Sequence, residues 1–453
     1  MTSTIKVNTI TTESGSTLTI GGCGKTVALA SGASQTGFGR EGSVDWQTSS
    51  IKTSTFTAVS GEGYFVDTSS GGVTANLPAG TAGAIVAFAD YTRSFNSNNL
   101  NVSPNGSNKI GGVAANAVLD VDGQAATFVY VDSTEGWINV QETQTSQAGR
   151  AFITATGGTI TTSGNFKIHT FTGPGTFCVS QISSSSPENT VGYMVVAGGG
   201  ASAGGETAGG GGAGGYREGR NATVDNFTAS PLVANAPTNA VTLTATAFPI
   251  TVGAGGAAPS PGFNVGNNGS QSVFSTITSA GGGGGGPGCA PSKVGIAGGS
   301  GGGGSGFSGA GAAGGAGNTP PVSPPQGNPG GTGSAQPGNT QGSGAGGGAG
   351  GAGSNAGPVP DPGGGPGGNG VASSITGSPV TRAGGGGGGL FGPGPFGSGG
   401  PGGGGTGGRA SPNSDGAAGT ANTGGGGGSE GGPGTAAGNG GGSGIVIIRY
   451  KFQ

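Results

Sequence analysis

Apolar and polar residues alternate along the first part of the chain, and this period of two predicts β-strands rather than helices. Two such runs, residues 5–10 and 16–20, flank a turn at residues 13–15. Forty residues cannot bury a useful core alone. We therefore expect several copies of segment 1–40 to intertwine and bury their isoleucines together. The alternative is a frayed terminus.

Residues 41–143 contain short apolar runs at roughly even spacing, separated by turns rich in glycine and asparagine. This pattern is typical of a sandwich or a barrel, and we predict a small β-sandwich domain. The two tryptophans, Trp46 and Trp137, lie near the ends of this domain and are expected in its core. The predicted strands are residues 54–59, 64–67, 84–89, 100–102, 117–121, 126–131 and 136–140.

A polar stretch, residues 144–165, is expected to be a linker. The following part, residues 166–453, begins and ends with runs typical of strands, among them residues 191–196 and 445–452. Long glycine tracts interrupt the chain between these runs. We therefore predict a C-terminal β framework that carries a glycine-rich insertion at residues 198–444. Since no segment shows a sustained helical period, the fold is expected to be all-β.

Glycine supplies 117 of the 453 residues, whereas an average protein contains about 7%. Charged residues make up only 7% of the chain and the net charge is −3. This balance argues against nucleic-acid binding, which requires a basic surface. It also argues against ordinary disorder, which is usually rich in charge. A neutral glycine polymer of this length needs its backbone groups to pair with each other.

Three states could describe the insertion. Collagen requires glycine at every third position, and that register breaks repeatedly, for example at residues 327–333. A disordered linker is the simplest alternative. The third state is a bundle of extended, polyproline-II-like strands whose N–H and C=O groups pair between neighbours, because only glycine lets the backbones come so close. Strands at both ends, scarce charge and the clustering of other residues into islands favour the bundle, with the islands as loops.

No pattern indicates catalysis, a metal site or a cofactor. The three cysteines are Cys23, Cys178 and Cys289. They share no short spacing, which argues against a disulfide framework and a zinc site. His169 is the single histidine and is expected to be a strand residue. Residues 21–26 end like a phosphate-binding loop, but Thr19 stands where that pattern needs glycine. We expect a protein that is not an enzyme and binds no cofactor.

The start of the chain shows no basic segment followed by an apolar run, so no signal peptide is expected. No apolar run approaches the ~18 residues that span a bilayer. We therefore expect synthesis in a cytoplasm, no membrane insertion, and a protein that is soluble or joins an assembly.

Seven stretches of the sequence are similar to segments of a known class of proteins: residues 3–10, 56–68, 130–137, 193–200, 211–217, 266–274 and 443–450. Those at 193–200 and 443–450, which read YMVVAGGG and SGIVIIRY, belong to the more specific C-terminal part. Together the stretches resemble the glycine-rich tail-fibre and adhesin proteins of marine tailed bacteriophages, cyanophages in particular. Residues 220–239 and 318–329 depart from that pattern, so the resemblance implies no particular receptor.

The resemblance implies a homotrimeric fibre on the virion tail, made in the host cytoplasm. Its partners would be two further copies of the chain, a virion tail protein bound through residues 1–40, and a host surface polysaccharide or outer-membrane protein. It also implies that loops of the polyglycine-II lobe choose the receptor. The candidate contact residues, drawn from the islands, are Pro320, Pro321, Leu390, Phe391, Phe396, Arg409, Asn413 and Asp415.

For Leu390, Phe391 and Phe396 the alternative is a small satellite core. For the whole chain, the expected function is binding of a host receptor during adsorption. One alternative is a purely structural fibre or capsid-associated component without receptor contact. Another is a depolymerase of surface polysaccharide, against which the lack of a convincing carboxylate pair argues.

Overall fold

The computed structural model describes residues 44–142, 151–288, 294–306, 311–334, 341–357, 363–411, 413–430 and 436–453. The attachment segment 1–40, with residues 21–26, lies outside the described residues, and the predictions made for it stay predictions. Within the described part, regular secondary structure is strand apart from one short 3₁₀ helix, Ser186–Asn189, so the all-β prediction is confirmed. The same part of the chain contains no helix that is long and apolar enough to cross a membrane.

The chain divides into two compact units, Met1–Gly149 and Arg150–Gln453. The described strands of the first unit form two sheets, in the orders β1-β3-β5-β8-β9 and β2-β4-β6-β7. These strands are β1 (Asp45–Lys52), β2 (Phe56–Thr57), β3 (Glu62–Val66), β4 (Val73–Asn76), β5 (Ile85–Asp90), β6 (Leu100–Ser103), β7 (Ala117–Leu119), β8 (Ala125–Asp132) and β9 (Gly136–Glu142).

The two sheets of the first unit share one core. Phe88 and Phe128 enter it from the five-stranded sheet, and Leu100 and Val102 enter it from the four-stranded sheet. Pairing is parallel along β1-β3-β5 and along β2-β4-β6, and antiparallel elsewhere. The result is a two-layer sandwich, as the even spacing of short apolar runs predicted. Strands β1 and β4 were not predicted.

The two tryptophans have different surroundings. Trp137 is fully buried in the core of the first unit, as predicted. Trp46 is 38% exposed, so the core prediction was wrong for this residue. It pairs with Gly63 across the sheet and contacts Phe65 on the outer face, with 5.0 Å between the ring centroids. Successive residues of a strand point to opposite faces of the sheet. Trp46 occupies a position of β1 that faces away from the core.

The second unit contains the remaining described strands. They are β10 (Thr154–Thr156), β11 (Thr159–Ser163), β12 (Phe166–Phe171), β13 (Gly175–Gln181), β14 (Thr190–Val196), β15 (Tyr216–Arg220), β16 (Val233–Asn235), β17 (Val241–Thr242), β18 (Ala247–Thr251), β19 (Ser272–Phe274), β20 (Ile277–Ser279), β21 (Gln341–Gly342), β22 (Val371–Ser373), β23 (Val380–Arg382), β24 (Leu390–Phe391), β25 (Arg409–Ala410), β26 (Asn413–Ser414) and β27 (Ile445–Lys451).

Two large sheets form the framework of this unit, in the orders β10-β13-β18-β19-β20 and β11-β12-β27-β14-β15-β16, with β17 paired to β14. Strands β10 and β11 lie inside residues 144–165, so the expected linker is wrong for residues 154–163. Their residues are mostly Thr, with a single apolar side chain in each strand, Ala155 and Ile160, which gave little strand signal. The predicted insertion, residues 198–444, is not one block, because β15 to β20 return to the framework.

The central strands β14 and β27 are buried on both faces. Tyr193 and Ile448 point into the core between the two sheets. Met194 and Ile447 point to the opposite face, where Tyr216 and residues of the glycine-rich part cover them. A strand that is covered on both sides reads as a continuous apolar run. This explains why neither strand shows the usual alternation.

His169 on β12 lies in the core between the two sheets. Its Nδ1–H donates to the Gly157 carbonyl at 2.7 Å, and its Nε2 accepts from the Tyr450 hydroxyl at 3.0 Å. A backbone carbonyl only accepts, so Nδ1 carries a proton, and burial favours the neutral ring in which Nε2 is the acceptor. Burial lowers the pKa of His169 below its ordinary value of 6.5. The strand role predicted for this residue is confirmed.

Acidification is expected to destabilise the second unit through His169. Because its pKa is lowered in the folded state, the unfolded chain takes up a proton first, and stability falls as the pH drops below about 6.5. The slope is at most about 1.4 kcal/mol per pH unit. Urea unfolding of the wild type and of His169→Gln between neutral and acid pH measures it. Asp225, with a pKa raised to about 6, stabilises the folded state as the pH falls. Both the wild type and His169→Gln contain Asp225, so subtracting one stability curve from the other cancels its contribution. Parallel pH curves for the two proteins would contradict the prediction.

The backbone of the glycine-rich part makes hydrogen bonds in a three-residue rotation. In residues 198–203, the first and fourth N–H groups donate to segment 267–270, the second and fifth to segment 439–442, and the third and sixth to segment 209–212. The N···O distances lie between 2.8 and 3.2 Å. A helix with three residues per turn directs its backbone groups in this way. The polyglycine-II prediction is therefore confirmed for the described segments.

Segment 209–215 lies at the centre of this bundle. Its N–H groups donate to three neighbouring segments, and its carbonyl groups accept from three others. The donor-side neighbours are 280–286, 344–347 and 424–427; the acceptor-side neighbours are 197–203, 300–303 and residue 386. Six neighbours around one strand are the arrangement of hexagonally packed rods.

Only glycine fits at most positions of the central segments. A methyl group added to Gly211 would lie under 3.0 Å from the carbonyl oxygen of Gly200, and one added to Gly386 would lie under 3.0 Å from that of Gly427. The obstacle is backbone in both cases, which cannot turn away as a side chain can. Glycine content here is therefore a packing requirement and not a sign of flexibility.

Candidate functional site

The bundle has two ends that differ in their surroundings. Strand β14 runs directly into segment 198–203, and segment 209–215 runs directly into β15. The two framework sheets of the second unit pack on one core, and we call them the sandwich of this unit. Ala197 donates to the Gly215 carbonyl at 3.0 Å, so these residues mark the sandwich end of the bundle. Residues 204–208 turn the chain at the other end, which we call the far end. Loops at the far end are separated from the sandwich by the length of the bundle.

A small four-stranded sheet lies at the far end, in the order β21-β24-β25-β26. Its position follows from the register of segment 384–389. Gly386 pairs with Gly211, Ala383 packs with the apolar residues under the sandwich sheet, and Leu390 therefore lies toward the far end. Leu390 pairs with Arg409 in parallel. The islands at residues 390–396 and 409–415, which hold six of the eight candidate contact residues, thus meet in one sheet.

The three apolar candidates of the first island have different exposure. Leu390 is only 1% exposed, so its prediction as a contact residue is wrong. It is covered because it lies between two strands of the small sheet, β21 and β25. Phe391 and Phe396 are half-buried, and Pro393 and Pro395 between them are exposed. The island therefore combines an inward leucine with two phenylalanines that stay partly accessible.

The polar candidates belong to the hairpin of β25 and β26. Arg409 is half-buried, and its Nη1 donates to the Gly394 carbonyl at 3.1 Å, which ties the hairpin to the phenylalanine loop. Asn413 and Asp415 are exposed, and the Asn413 amide donates to the Asp415 carboxylate at 3.5 Å. The far end therefore presents aromatic, amide and carboxylate groups side by side on a short sheet.

Pro320 and Pro321 lie elsewhere, in a loop at the sandwich end. The N–H of Tyr216, the first residue of β15, donates to the Gln326 carbonyl at 2.8 Å. The Asn318 side chain accepts from the backbone of Gln326 at 3.2 Å, and the Gln326 amide donates to the Pro320 carbonyl at 2.8 Å. Both prolines are exposed. The eight candidates therefore do not form one surface.

Sequence reasoning missed a second apolar group at the far end. Phe263, Val265 and Val294 are all exposed, and the Phe263 ring packs over Gly205 in the turn 204–208. Phe263 is the one aromatic residue in the loop of residues 259–268, and a lone aromatic residue among small and polar ones was the available signal. The described part of the far end therefore exposes apolar side chains as well as glycine and polar residues.

The comparison with known families agrees with this architecture. A family model described as a glycine-rich domain matches residues 172–451, which is more than half of the 453-residue chain. The chain belongs to this glycine-rich domain family. The match covers β13 to β27, so the family unit includes sandwich strands as well as the bundle. No curated protein matches the chain.

A buried carboxylate fastens the glycine-rich domain to its own framework. Glu218 on β15 is buried and accepts hydrogen bonds from the Tyr216 hydroxyl at 3.0 Å, the Ser230 N–H at 2.9 Å and the Ser373 hydroxyl at 2.5 Å. Ser373 belongs to the hairpin of β22 and β23, within the glycine-rich sequence. Burial lowers the pKa of Arg382, on the same hairpin, and Tyr216 and Glu218 oppose that shift. The bond from Ser373 therefore ties this hairpin to β15.

Arg449 on β27 forms a second buried attachment. Its Nη1 donates to the Ile375 carbonyl at 3.2 Å, and its Nη2 donates to the Asn226 side chain at 2.9 Å. The guanidinium also lies 4.2 Å from the Phe166 ring centroid, a cation–π distance. Burial raises the pKa of the nearby Asp225 to about 6, and Arg449 is among the groups that limit the rise.

Among the described residues, no group of three or more His, Cys, Asp or Glu side chains could hold a metal ion. The far end of the glycine-rich domain offers hydrogen-bonding and apolar contacts. Those contacts suit recognition of a surface.

Proposed function

We propose that the protein is a bacteriophage tail fibre or adhesin that binds a receptor on the host cell surface during adsorption. The far end of the glycine-rich domain would make the contact. One observation carries the proposal: a hydrogen-bonded bundle presents Phe391, Phe396, Asn413 and Asp415 together at the end away from its sandwich. Rigid loops lose little entropy on binding, and partly exposed aromatic residues are effective contacts.

The resemblance to tail fibres of marine phages supplies the biological setting. Three intertwined copies would place three far ends on one fibre, and several fibres on one particle would multiply weak contacts by avidity. The N-terminal segment 1–40 would attach the fibre to a virion tail protein. A host polysaccharide or outer-membrane protein would be the receptor.

Removing the two phenylalanines is expected to lower host binding by about tenfold or more, because truncated aromatic contacts often cost over 1 kcal/mol each and three copies act together. The test compares labelled full-length protein with its Phe391→Ala/Phe396→Ala variant. Binding is measured on a panel of marine cyanobacterial strains, together with competition against phage adsorption. Pro321→Ala, at the sandwich end, is the matched control and is expected to bind like the wild type.

Three outcomes distinguish these functions. Loss of host binding in the double variant alone supports contact by the far end. Loss in Pro321→Ala alone would move the contact to the sandwich end and contradict this site. A protein that is found in virions but neither binds any strain nor competes with adsorption would be the structural component without receptor contact.

A further inference from the structure

A cavity of about 770 Å³ opens beside the end of β27 in the second unit. Its walls are the turn between β11 and β12, the 3₁₀ helix Ser186–Asn189 with the residue before it, and the loop that contains residues 223–226. The volume lies within the ~300–1,000 Å³ typical of small-molecule sites. None of the receptor-contact candidates lines it, so the far end and this cavity are separate places in the fold.

An ion pair lies in the wall of the cavity. The Glu188 side chain is only 5% exposed and lies 3.5 Å from the Lys451 ammonium group. The Ser183 hydroxyl donates to the same carboxylate at 2.8 Å, which holds it in place. The two charges offset each other, so this part of the wall carries little net charge. Such a wall suits a neutral ligand and gives no net attraction to an ionic one.

Two more polar side chains are oriented by bonds outside the cavity. The Asn226 oxygen accepts from Arg449 at 2.9 Å, which fixes the amide and directs its NH₂ group away from the guanidinium. The Thr223 hydroxyl donates to the Asn221 oxygen at 2.7 Å, so its lone pairs remain able to accept. Val224 and Pro187 add apolar surface between these groups.

We propose that this cavity binds a neutral saccharide of one or two pyranose rings. Each sugar hydroxyl both donates and accepts, and the wall offers donors and acceptors at short spacing. The ring carbons present a C–H face that matches the apolar wall residues. The paired charges of Glu188 and Lys451 disfavour phosphate, carboxylate and amine ligands, because none of these finds an excess of opposite charge. The proposal does not depend on receptor contact at the far end.

The probes are methyl α-D-glucopyranoside, methyl β-D-galactopyranoside, methyl α-D-mannopyranoside and N-acetyl-D-glucosamine, with glucuronate and glucosamine as charged comparators. Saturation-transfer NMR on the full-length protein is expected to show binding of at least one neutral sugar and weaker or no binding of the charged ones.

Ser185→Tyr is the test variant. Ser185 lines the cavity, and in the described part its side chain makes no capping hydrogen bond to the 3₁₀ helix, so a tyrosine fills space without removing a bond. It is expected to weaken sugar binding by at least about tenfold. Ala222→Tyr, exposed on the same loop as Thr223 and outside the cavity lining, is the matched control.

Thermal melting of each variant shows whether it is folded. The proposal is overturned if no neutral sugar binds the wild type at millimolar concentration, or if Ser185→Tyr and Ala222→Tyr bind alike. It is also overturned if a charged sugar binds best. The Phe391→Ala/Phe396→Ala variant is expected to keep full sugar binding, and loss there would place the sugar at the far end instead.

Discussion

Replacing Gly211 by alanine is expected to destabilise the glycine-rich bundle by about 3 kcal/mol or more, at or beyond the upper end of the range for overpacked cores. Gly211 donates to the Gly427 carbonyl at 2.8 Å and accepts from the Gly386 N–H at 2.9 Å. The new methyl group would lie under 3.0 Å from the Gly200 carbonyl oxygen. Relief requires one backbone segment to move, and each segment is bonded to several others. The strain therefore spreads through the bundle.

Gly351→Ala is the matched control for this prediction. It lies in the same domain, and a methyl group there would meet the Asn369 nitrogen at 3.7 Å, an ordinary contact. Its effect is expected to stay within about 0.5 kcal/mol, or to be slightly stabilising because alanine has less freedom when unfolded. Urea unfolding of both full-length variants measures the difference. Equal stability of Gly211→Ala and Gly351→Ala would show that the bundle does not require a residue without a side chain at its centre.

Replacing Glu218 by alanine is expected to cost about 3–5 kcal/mol, as for other buried charges that lose a partner. The change leaves the Tyr216 and Ser373 hydroxyls and the Ser230 N–H without their common acceptor. It also removes the carboxylate that opposes the lowering of the Arg382 pKa. We expect the hairpin of β22 and β23 to separate from the sandwich sheet, with faster amide hydrogen exchange in residues 371–382.

Ser373→Ala serves as the comparison, because it removes the bond from the Ser373 hydroxyl to Glu218 and the bond from the Ile375 N–H to that hydroxyl, and leaves the carboxylate with two donors. About 1 kcal/mol is expected for each of the two lost bonds. Denaturant unfolding gives the two free energies, and hydrogen exchange shows whether the change is local to the hairpin. A Glu218→Ala protein that is no less stable than Ser373→Ala would mean that the buried charge is not what holds the hairpin.

Strand prediction succeeded where apolar residues were frequent and failed where they were not. The continuous apolar runs of β14 and β27 were recognisable because both faces are buried. Strands β10 and β11 are mostly threonine and were assigned to a linker. In the first unit, Trp46 was expected in the core together with Trp137. Whether its side chain points into the core depends on the register of β1 against β3. Composition carries no information about that register.

Six of the eight contact candidates lie at the far end of the bundle and two lie at the sandwich end. Their grouping into islands was visible in the sequence, because breaks in glycine tracts mark the loops. Which island lies at which end depends on the hydrogen-bond register between distant segments. Leu390 shows the same limit, since its burial results from pairing with residues 342 and 409. Phe263 was missed because a lone aromatic residue in a glycine-rich loop carries no periodic signal.

The sequence alone determined the class of structure. Glycine at more than a quarter of the positions, few charges and strands on both sides leave backbone-to-backbone packing as the favourable ordered state, and the described segments have that state. Only the tertiary structure decided which segments are neighbours. A glycine has no side chain with which to select a partner, so the register between segments is set by the framework strands that fix their ends and by the turns between them. The far end, its small sheet and the cavity beside β27 all follow from that register.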